Sequence, residues 1–418
     1  VVWETSAAGR LFQAGCRIGA RKAPVNKDLS GGCGTGMQTR TQSERMKSGL
    51  RNALHDRVRR TWYGSEGGFS RGIPGFLARS AGWCYTCALR RDQDRSLRAQ
   101  GSLPATVISI GNLTVGGTGK TPLTLWLARY FQKRGWSAAI LSRGYGGSSR
   151  NASRVPCDGD TMPLVLRYGD EPVLLARRAD PAAVWTGRDR MAAGLAAIHE
   201  TGARMLLLDD GFQHLRVKRD IDLLLLDASN PFGNGSVLPF GPLREPVHSI
   251  QRAHAIVLTR ADHEERTQNT RSRLARLFPG KPIFCCRHEL TKFRIGINGP
   301  AMALDTLKEG GITAFAGIAD PQAFFRSLRN LGLNLQVELS FPDHHVYGRE
   351  NIEAILRSSR QHRTRFLVTT EKDFVRLPAD FQPAVVFTEL DLAFQPDESD
   401  FQAFLERSIP SSSFRIHH

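Results

Sequence analysis

The stretch Gly111-Asn112-Leu113-Thr114-Val115-Gly116-Gly117-Thr118-Gly119-Lys120-Thr121-Pro122 follows a short β-branched run at 105–110 and precedes apolar residues at helical spacing. A strand, a Gly-rich turn and a helix opened by Lys-Thr have the form of a phosphate-binding loop. Glycines let successive backbone N–H groups converge on one anion, and the helix adds the positive end of its dipole. Thr114, Val115, Gly116, Gly117, Thr118, Gly119, Lys120 and Thr121 are therefore the candidates for holding a nucleotide, with ATP as the expected cofactor. Lys120 would face the terminal phosphates, and Thr121 would place a hydroxyl where Mg2+ sits. Thr114 stands where the usual G-x-x-x-x-G-K-[ST] pattern has its first glycine. The competing reading, a Gly-rich turn that caps an ordinary helix, leaves the Lys-Thr pair and the preceding strand without a reason.

A second group is Arg204-Met-Leu-Leu-Leu-Asp209-Asp210-Gly-Phe-Gln213-His214. A buried strand ending in acid is what a P-loop fold uses to hold Mg2+, and two adjacent carboxylates need a cation to offset their repulsion. Asp220-Ile-Asp222-Leu-Leu-Leu-Leu-Asp227 reads as a neighbouring structural strand. Arg143, in Ser142-Arg-Gly-Tyr-Gly-Gly147, could grip phosphate. Asp170, in Gly169-Asp-Glu-Pro172, opens a helix after a strand, as an N-cap or, facing the cleft, as a base. Arg244 and Glu245 lie between Pro242 and Pro246. In Asp343-His344-His345 one useful histidine beside an acid is more plausible than a metal clamp, because consecutive residues on an extended segment point opposite ways. Thr259-Arg-Ala-Asp262 loosely resembles a base-reading loop, with a helix N-cap at Asp262 as the plainer reading. Glu371-Lys372-Asp373 reads as a helix start.

The elements that must position these residues can be read from periodicity. Strands are expected at 105–110, 137–141, 183–186, 205–209, 221–226 and 254–259, with helices near 119–134, 170–179 and 187–201. That alternation predicts an α/β fold, a P-loop NTPase-like parallel sheet covered on both faces, with ligands at the carboxyl ends of its strands. A second, smaller α/β lobe is expected over 310–418, with strands at 312–316, 334–340, 365–370 and 384–387 and helices near 320–331 and 349–360. The P-loop domain is placed at 104–285 and a linker at 286–309.

Residues 46–103 alternate basic and apolar character, with Trp62, Phe76 and Trp83 set among arginines. Such a segment suits an amphipathic helix in an anionic membrane interface, or a basic helix packed on the side of the domain. Residues 1–45 lack apolar periodicity and read as a disordered leader or a gene-model extension, with Met37 or Met46 as alternative starts; a targeting peptide is the other reading. The net charge of +17 over 418 residues implies an anionic partner. No apolar run approaches the roughly 20 residues of a membrane span. The seven cysteines are scattered, and Cys84-Tyr-Thr-Cys87 has no second ligand pair, so reduced bystanders in a cytoplasmic protein are expected.

Taken together, 111–122, 142–147, 169–172, 209–214, 242–246 and 343–345 resemble the tetraacyldisaccharide 4′-kinase family of lipid A biosynthesis. The resemblance runs from about 55 to 376, in the family's order. It implies a peripheral kinase at the cytoplasmic face of the inner membrane that moves the γ-phosphoryl group of ATP to a sugar hydroxyl of an acylated disaccharide 1-phosphate. It also implies an acid–histidine pair at Asp170 and, of the two histidines, His344, and a metal region at Thr121, Asp209, Asp210, Gln213 and Glu245. Lys120, Mg2+ and an arginine, Arg143 or Arg244, would neutralise the developing charge. A monomer is expected. The rival from the same fold is a P-loop ATPase or GTPase of the metallochaperone or partition type, which gives the basic aromatic segment no role. A nucleic-acid binder would use the charge but shows no recognition signature.

Overall fold

The computed structural model describes residues 62–63, 75–296 and 299–409. The chain divides into two units, 1–68 and 69–418, and the second is described here. The leader expected over 1–45 lies outside the described residues, as does the expected basic segment up to residue 74 apart from Trp62 and Tyr63.

Helix α1 (Gly75–Arg98) leads into β1 (Thr106–Asn112), α2 (Lys120–Lys133), β2 (Ala138–Ser142) and the short β3 (Ser153–Arg154). Then come α3 (Thr161–Tyr168), α4 (Asp170–Arg178), β4 (Ala183–Thr186), α5 (Arg190–Thr201), β5 (Met205–Asp209), β6 (Ile221–Asp227), β7 (Ala255–Thr259) and α6 (Glu264–Leu277). The chain continues through β8 (Ile283–Ile295), β9 (Ala301–Met302), α7 (Leu304–Lys308), β10 (Ile312–Ala316), α8 (Pro321–Asn330) and β11 (Leu335–Ser340). It ends with α9 (Arg349–Gln361), β12 (Phe366–Thr370), α10 (Glu371–Phe374), β13 (Val386–Gln395) and α11 (Ser399–Ser408).

These strands form one sheet in the order β11-β10-β12-β13-β8-β7-β6-β1-β5-β2-β4-β3, with β9 on β8. Strands β1, β4, β5 and β7 are buried at every position. That follows from their near-continuous Val, Ile and Leu content and from helices on both faces. The expected strands at 183–186, 205–209 and 312–316 occur with those bounds.

The expected linker at 286–309 is not a patternless connection. Most of β8 lies there, pairing antiparallel with β13 from Cys285↔Gln395 to Ile295↔Val386. This ribbon sets the geometry of the molecule. The start of β8 pairs parallel with β7, up to Leu258↔Cys285. The start of β13 pairs parallel with the end of β12, at Val368↔Val386 to Thr370↔Thr388. The two parallel sheets therefore attach at opposite ends of one antiparallel ribbon, and their carboxyl edges face each other across its middle. Ligand sites form at such edges. The sequence hid the ribbon because its strands are half-exposed and charged, as in Arg287-His288-Glu289 and Thr291-Lys292.

Helix α11 returns to the P-loop half rather than staying with the second lobe. Phe401 of α11 packs on Trp126 of α2 at a ring separation of 5.3 Å and on Phe284 of β8 at 5.0 Å. Tyr130 and Arg134 both reach Glu406.

Candidate active site

β1 ends in a loop whose Asn112 amide donates to the Gly116 carbonyl and to the Thr118 hydroxyl. Gly119 has φ +85, and a Cβ there would stand 2.5 Å from the His288 Nε2, so both backbone shape and space require glycine. Gly119 also precedes α2 with no side-chain cap, which leaves the first N–H groups of the helix for an anion. The loop is buttressed from β7. The Thr259 hydroxyl donates to the Thr118 carbonyl, and Arg260 donates to the Gly117 carbonyl while pairing with Asp227. Asp262 does not cap the next helix; His263 occupies that position.

Lys120 Nζ lies 3.5 Å from Asp210, and Arg244 Nη1 reaches both Asp210 oxygens at 3.0 and 2.9 Å. Burial pushes the Asp210 carboxyl up, but Lys120 and Arg244 outweigh it and hold it down at about 2. Asp209 is the opposite case. It is buried, and its contact is the Thr124 hydroxyl at 3.3 Å. Burial, then Glu171 and Asp210, push its carboxyl up to about 7 against the pull of Lys120. A carboxylate so placed asks for a cation. Thr121 is partly exposed at the start of α2, and Gln213 donates to the Asn112 carbonyl and leaves its own oxygen beside Arg244 at 3.5 Å. Among the described residues there is no cluster of three or more His, Cys, Asp or Glu that could hold a metal. A hydroxyl with one or two carboxylates fits Mg2+, which keeps waters and takes its other ligands from phosphate.

Glu245 does not join this group. It is fully buried, and its two oxygens accept from Arg252 at 2.7 and 3.0 Å and from Gln93 at 2.8 Å. Its charge is already met, and it ties α1 to the loop, as does the Tyr85 hydroxyl on the Arg244 carbonyl at 2.9 Å.

Across the cleft, His344 Nδ1 lies 2.8 Å from Asp170 Oδ2, joining residues 174 apart in sequence. No lobe closure is needed to bring them together. Asp170 does not follow a strand as expected: α3 precedes it, and Gly169 caps α4 with φ +93, a Cβ there meeting the Tyr145 carbonyl oxygen at 2.4 Å. Burial pushes the Asp170 carboxyl up, but the His344 hydrogen bond, Lys372 and Arg376 outweigh it and hold it at about 2. His344 has φ 58, an uncommon left-handed conformation for this residue. Its N–H is shared between the Gly317 carbonyl at 3.2 Å and Asp343 Oδ1 at 3.0 Å. His345 turns the other way, stacking on Phe341 at 4.9 Å with Tyr347 edge-on.

Arg143 is exposed and faces the buried Arg190, whose charge burial disfavours most, holding it down at about 10. Sequence reasoning passed over Arg190, although Gly187-Arg-Asp-Arg190 follows a strand at the ligand edge. It read Glu371-Lys372-Asp373 as a helix start, which α10 bears out, and passed over Arg376.

The family model described as tetraacyldisaccharide-1-P 4'-kinase matches residues 76–410. The chain belongs to the tetraacyldisaccharide-1-P 4'-kinase family. A tetraacyldisaccharide 4'-kinase of Syntrophobacter fumaroxidans is 45% identical over 85% of this chain and 93% of its own. The one from Desulfatibacillum aliphaticivorans is 37% identical over 81% of this chain and 94% of its own. A solved structure of LpxK from Aquifex aeolicus, in complex with ATP, is 28% identical with a TM-score of 0.64, covering 81% of this chain and all of that one. The family is one of kinases, so the rival reading as a switch ATPase or GTPase is set aside.

Proposed function

We propose that this family member transfers the γ-phosphoryl group of ATP to the 4′-hydroxyl of a tetraacyldisaccharide 1-phosphate. The observation that carries the reading is the pairing, in a chain of this family, of a P-loop with Lys120 and an Asp209–Asp210 pair against the Asp170–His344 dyad on the facing edge. The ATP bound by the Aquifex relative supports the nucleotide. Backbone N–H groups of 114–121 would cradle its phosphates, and Lys120, with Arg143 or Arg244, would offset charge as the γ-phosphoryl group moves. Thr121, Asp209, Asp210 and Gln213 would hold Mg2+, which when bound supplies positive charge to the phosphate oxygens.

A sugar hydroxyl attacks well once its proton has somewhere to go. Both Asp170 oxygens are engaged, Oδ2 by His344 and Arg376 and Oδ1 by the Glu171 N–H. The His344 side chain is 36% exposed, with Nδ1 turned to Asp170. A neutral imidazole that donates from Nδ1 has its lone pair at Nε2. His344 Nε2 then takes the proton and Asp170 stabilises the imidazolium, which reverses the division of labour expected from the sequence. The exposed arginines of α1 and its exposed Trp83 support a peripheral position on an anionic membrane face. No helix among the described residues is long and apolar enough to cross a membrane.

The test is turnover of labelled ATP with purified disaccharide 1-phosphate in detergent, with the product read by mass spectrometry. The wild type should yield the 4′-phosphorylated disaccharide, and a folded Lys120→Ala variant should not. Wild-type turnover in Lys120→Ala would sink the P-loop assignment.

A further inference from the structure

Arg376 is 1% exposed, two residues past α10. A buried guanidinium is tolerated where its donors are met and its charge is paired. Here Nε donates to the Lys372 carbonyl at 2.9 Å, Nη1 to the Gly317 and His345 carbonyls at 3.2 Å each, and Nη2 to Gly317 at 3.3 Å. Nη2 also lies 3.3 Å from Asp373 Oδ1. Asp373 in turn accepts from the Gly317 N–H at 2.9 Å, the Tyr347 hydroxyl at 2.8 Å and the Thr370 hydroxyl at 2.6 Å. These contacts alone would make Arg376 a pin for the second half of the molecule.

One further contact leaves that half. Nε lies 3.4 Å from Asp170 Oδ2, the oxygen that also meets His344. The same guanidinium thus holds the end of β10, the carbonyl next to His344 and the carboxylate partner of His344. We propose that Arg376 is a positioning residue for the dyad, fixing the separation of Asp170 and His344 and setting how tightly the pair holds a proton. This rests on the dyad reading above. The other charged or titratable groups facing the pair are Tyr145 on the loop after β2, Glu171 on α4, Lys372 and Asp373 on α10, and Asp343, His345 and Tyr347 on the loop after β11.

The experiment compares Arg376→Gln, Arg376→Lys, Asp170→Ala and His344→Ala in the full chain. It reads thermal midpoint, affinity for a fluorescent ATP analogue, kcat and KM, and the dependence of kcat on pH. Loss of the fork should lower kcat in both Arg376 variants by about tenfold to a hundredfold, with nucleotide affinity and KM unchanged, because a displaced catalytic group costs rate rather than binding. Arg376 opposes protonation of Asp170, so removing the cation favours the protonated form of that carboxyl. The acid limb of kcat in Arg376→Gln should therefore move up by about one pH unit, while Arg376→Lys, which keeps the charge, leaves it in place. If Arg376→Gln does not fold, the kcat of Arg376→Lys decides. A folded Arg376 variant with wild-type kcat overturns the inference, as does an unmoved acid limb in folded Arg376→Gln. Wild-type kcat in Asp170→Ala and His344→Ala would instead overturn the dyad reading itself.

Discussion

At the scale of single residues, the dyad depends on a conformation that His344 would not choose alone. A left-handed backbone at a non-glycine residue persists when its surroundings over-determine it, and such residues gather at functional sites. Gly317 and Asp343 hold the His344 N–H, and Asp170 holds its ring. Asp170→Ala and His344→Ala should each lower kcat by about a hundredfold or more with little change in ATP affinity, the usual size of a lost general base. Because the two act as one unit, the double variant should be far less impaired than the product of the single losses. Multiplicative losses, measured in the same assay, would mean two independent roles. Local pattern was enough to raise Lys120, Thr121, Asp209 and Asp210 as candidates, since strand, turn and helix adjoin in sequence. The Asp170–His344 pair was legible through the family resemblance, because nothing local links residues so far apart. The resemblance placed Glu245 in the metal region, and the sequence carried no sign that Arg252 and Gln93 engage its carboxylate. Arg190 and Arg376 carry no motif, and their importance lies in burial that only tertiary packing creates.

At the scale of elements, α4 is the seam between the two halves. Besides Asp170, its Glu171 accepts from Lys372 at 3.0 Å. Its Arg178, 6% exposed, pairs with Glu371 at 3.0 Å, Glu389 at 3.3 Å and Asp391 at 2.7 Å. Arg294 also takes up Glu389 at 2.8 Å and Arg129 takes up Asp391 at 2.9 Å, while Glu371 meets Arg178 in the buried part of the seam. Burial pushes the Glu371 carboxyl up from 4.5 to about 7, with Arg178 opposing and Glu389 adding to the rise. The folded chain therefore holds that proton more tightly than the unfolded one. The stability it contributes is complete below the unfolded value and is lost as pH rises through the folded value. Glu371→Gln removes the titration and keeps an acceptor for Arg178. Its thermal midpoint should fall less than that of the wild type between about pH 5 and about pH 8. Parallel curves for the two proteins would show that Glu371 is already ionised in the fold. The seam was unreadable in the sequence because α4 looked like any short amphipathic helix, and its partners lie about 200 residues away.

At the scale of the whole molecule, the ribbon of β8 and β13 turns two carboxyl edges toward one cleft, and α1 joins the P-loop side of that cleft to the surface. The alternation of strands and helices gave away both parallel sheets, whereas their mutual orientation rests on the mixed-polarity ribbon that periodicity missed. Helix α1 has two faces. Tyr85, Leu89, Gln93 and Ser96 are half-buried at helical spacing, and Tyr85 and Gln93 bond to Arg244 and Glu245. Trp83 is 70% exposed and Leu97 49%, with Arg90, Arg91, Arg95 and Arg98 exposed as well. The helix is packed on the domain by one side, as one reading of this segment expects, and leaves its arginines and Trp83 exposed on the other, where the membrane reading can be tested. Of the three aromatics expected to enter the interface, Trp62 belongs to the other unit and the Phe76 side chain is outside the described residues, so Trp83 carries the test. Arg90→Ser and Arg91→Ser should each weaken binding to vesicles containing phosphatidylglycerol about fivefold at low salt, the worth of one basic residue near such a surface. Trp83→Ser should lower partition further at any salt, because it removes apolar contact rather than charge. Affinity for ATP should be unchanged in all three, since the Tyr85 and Gln93 bonds that join α1 to the Arg244 loop remain. Vesicle sedimentation beside nucleotide titration reads both quantities, and unchanged partition in all three variants would leave α1 as a helix that packs on the domain and does nothing at the membrane.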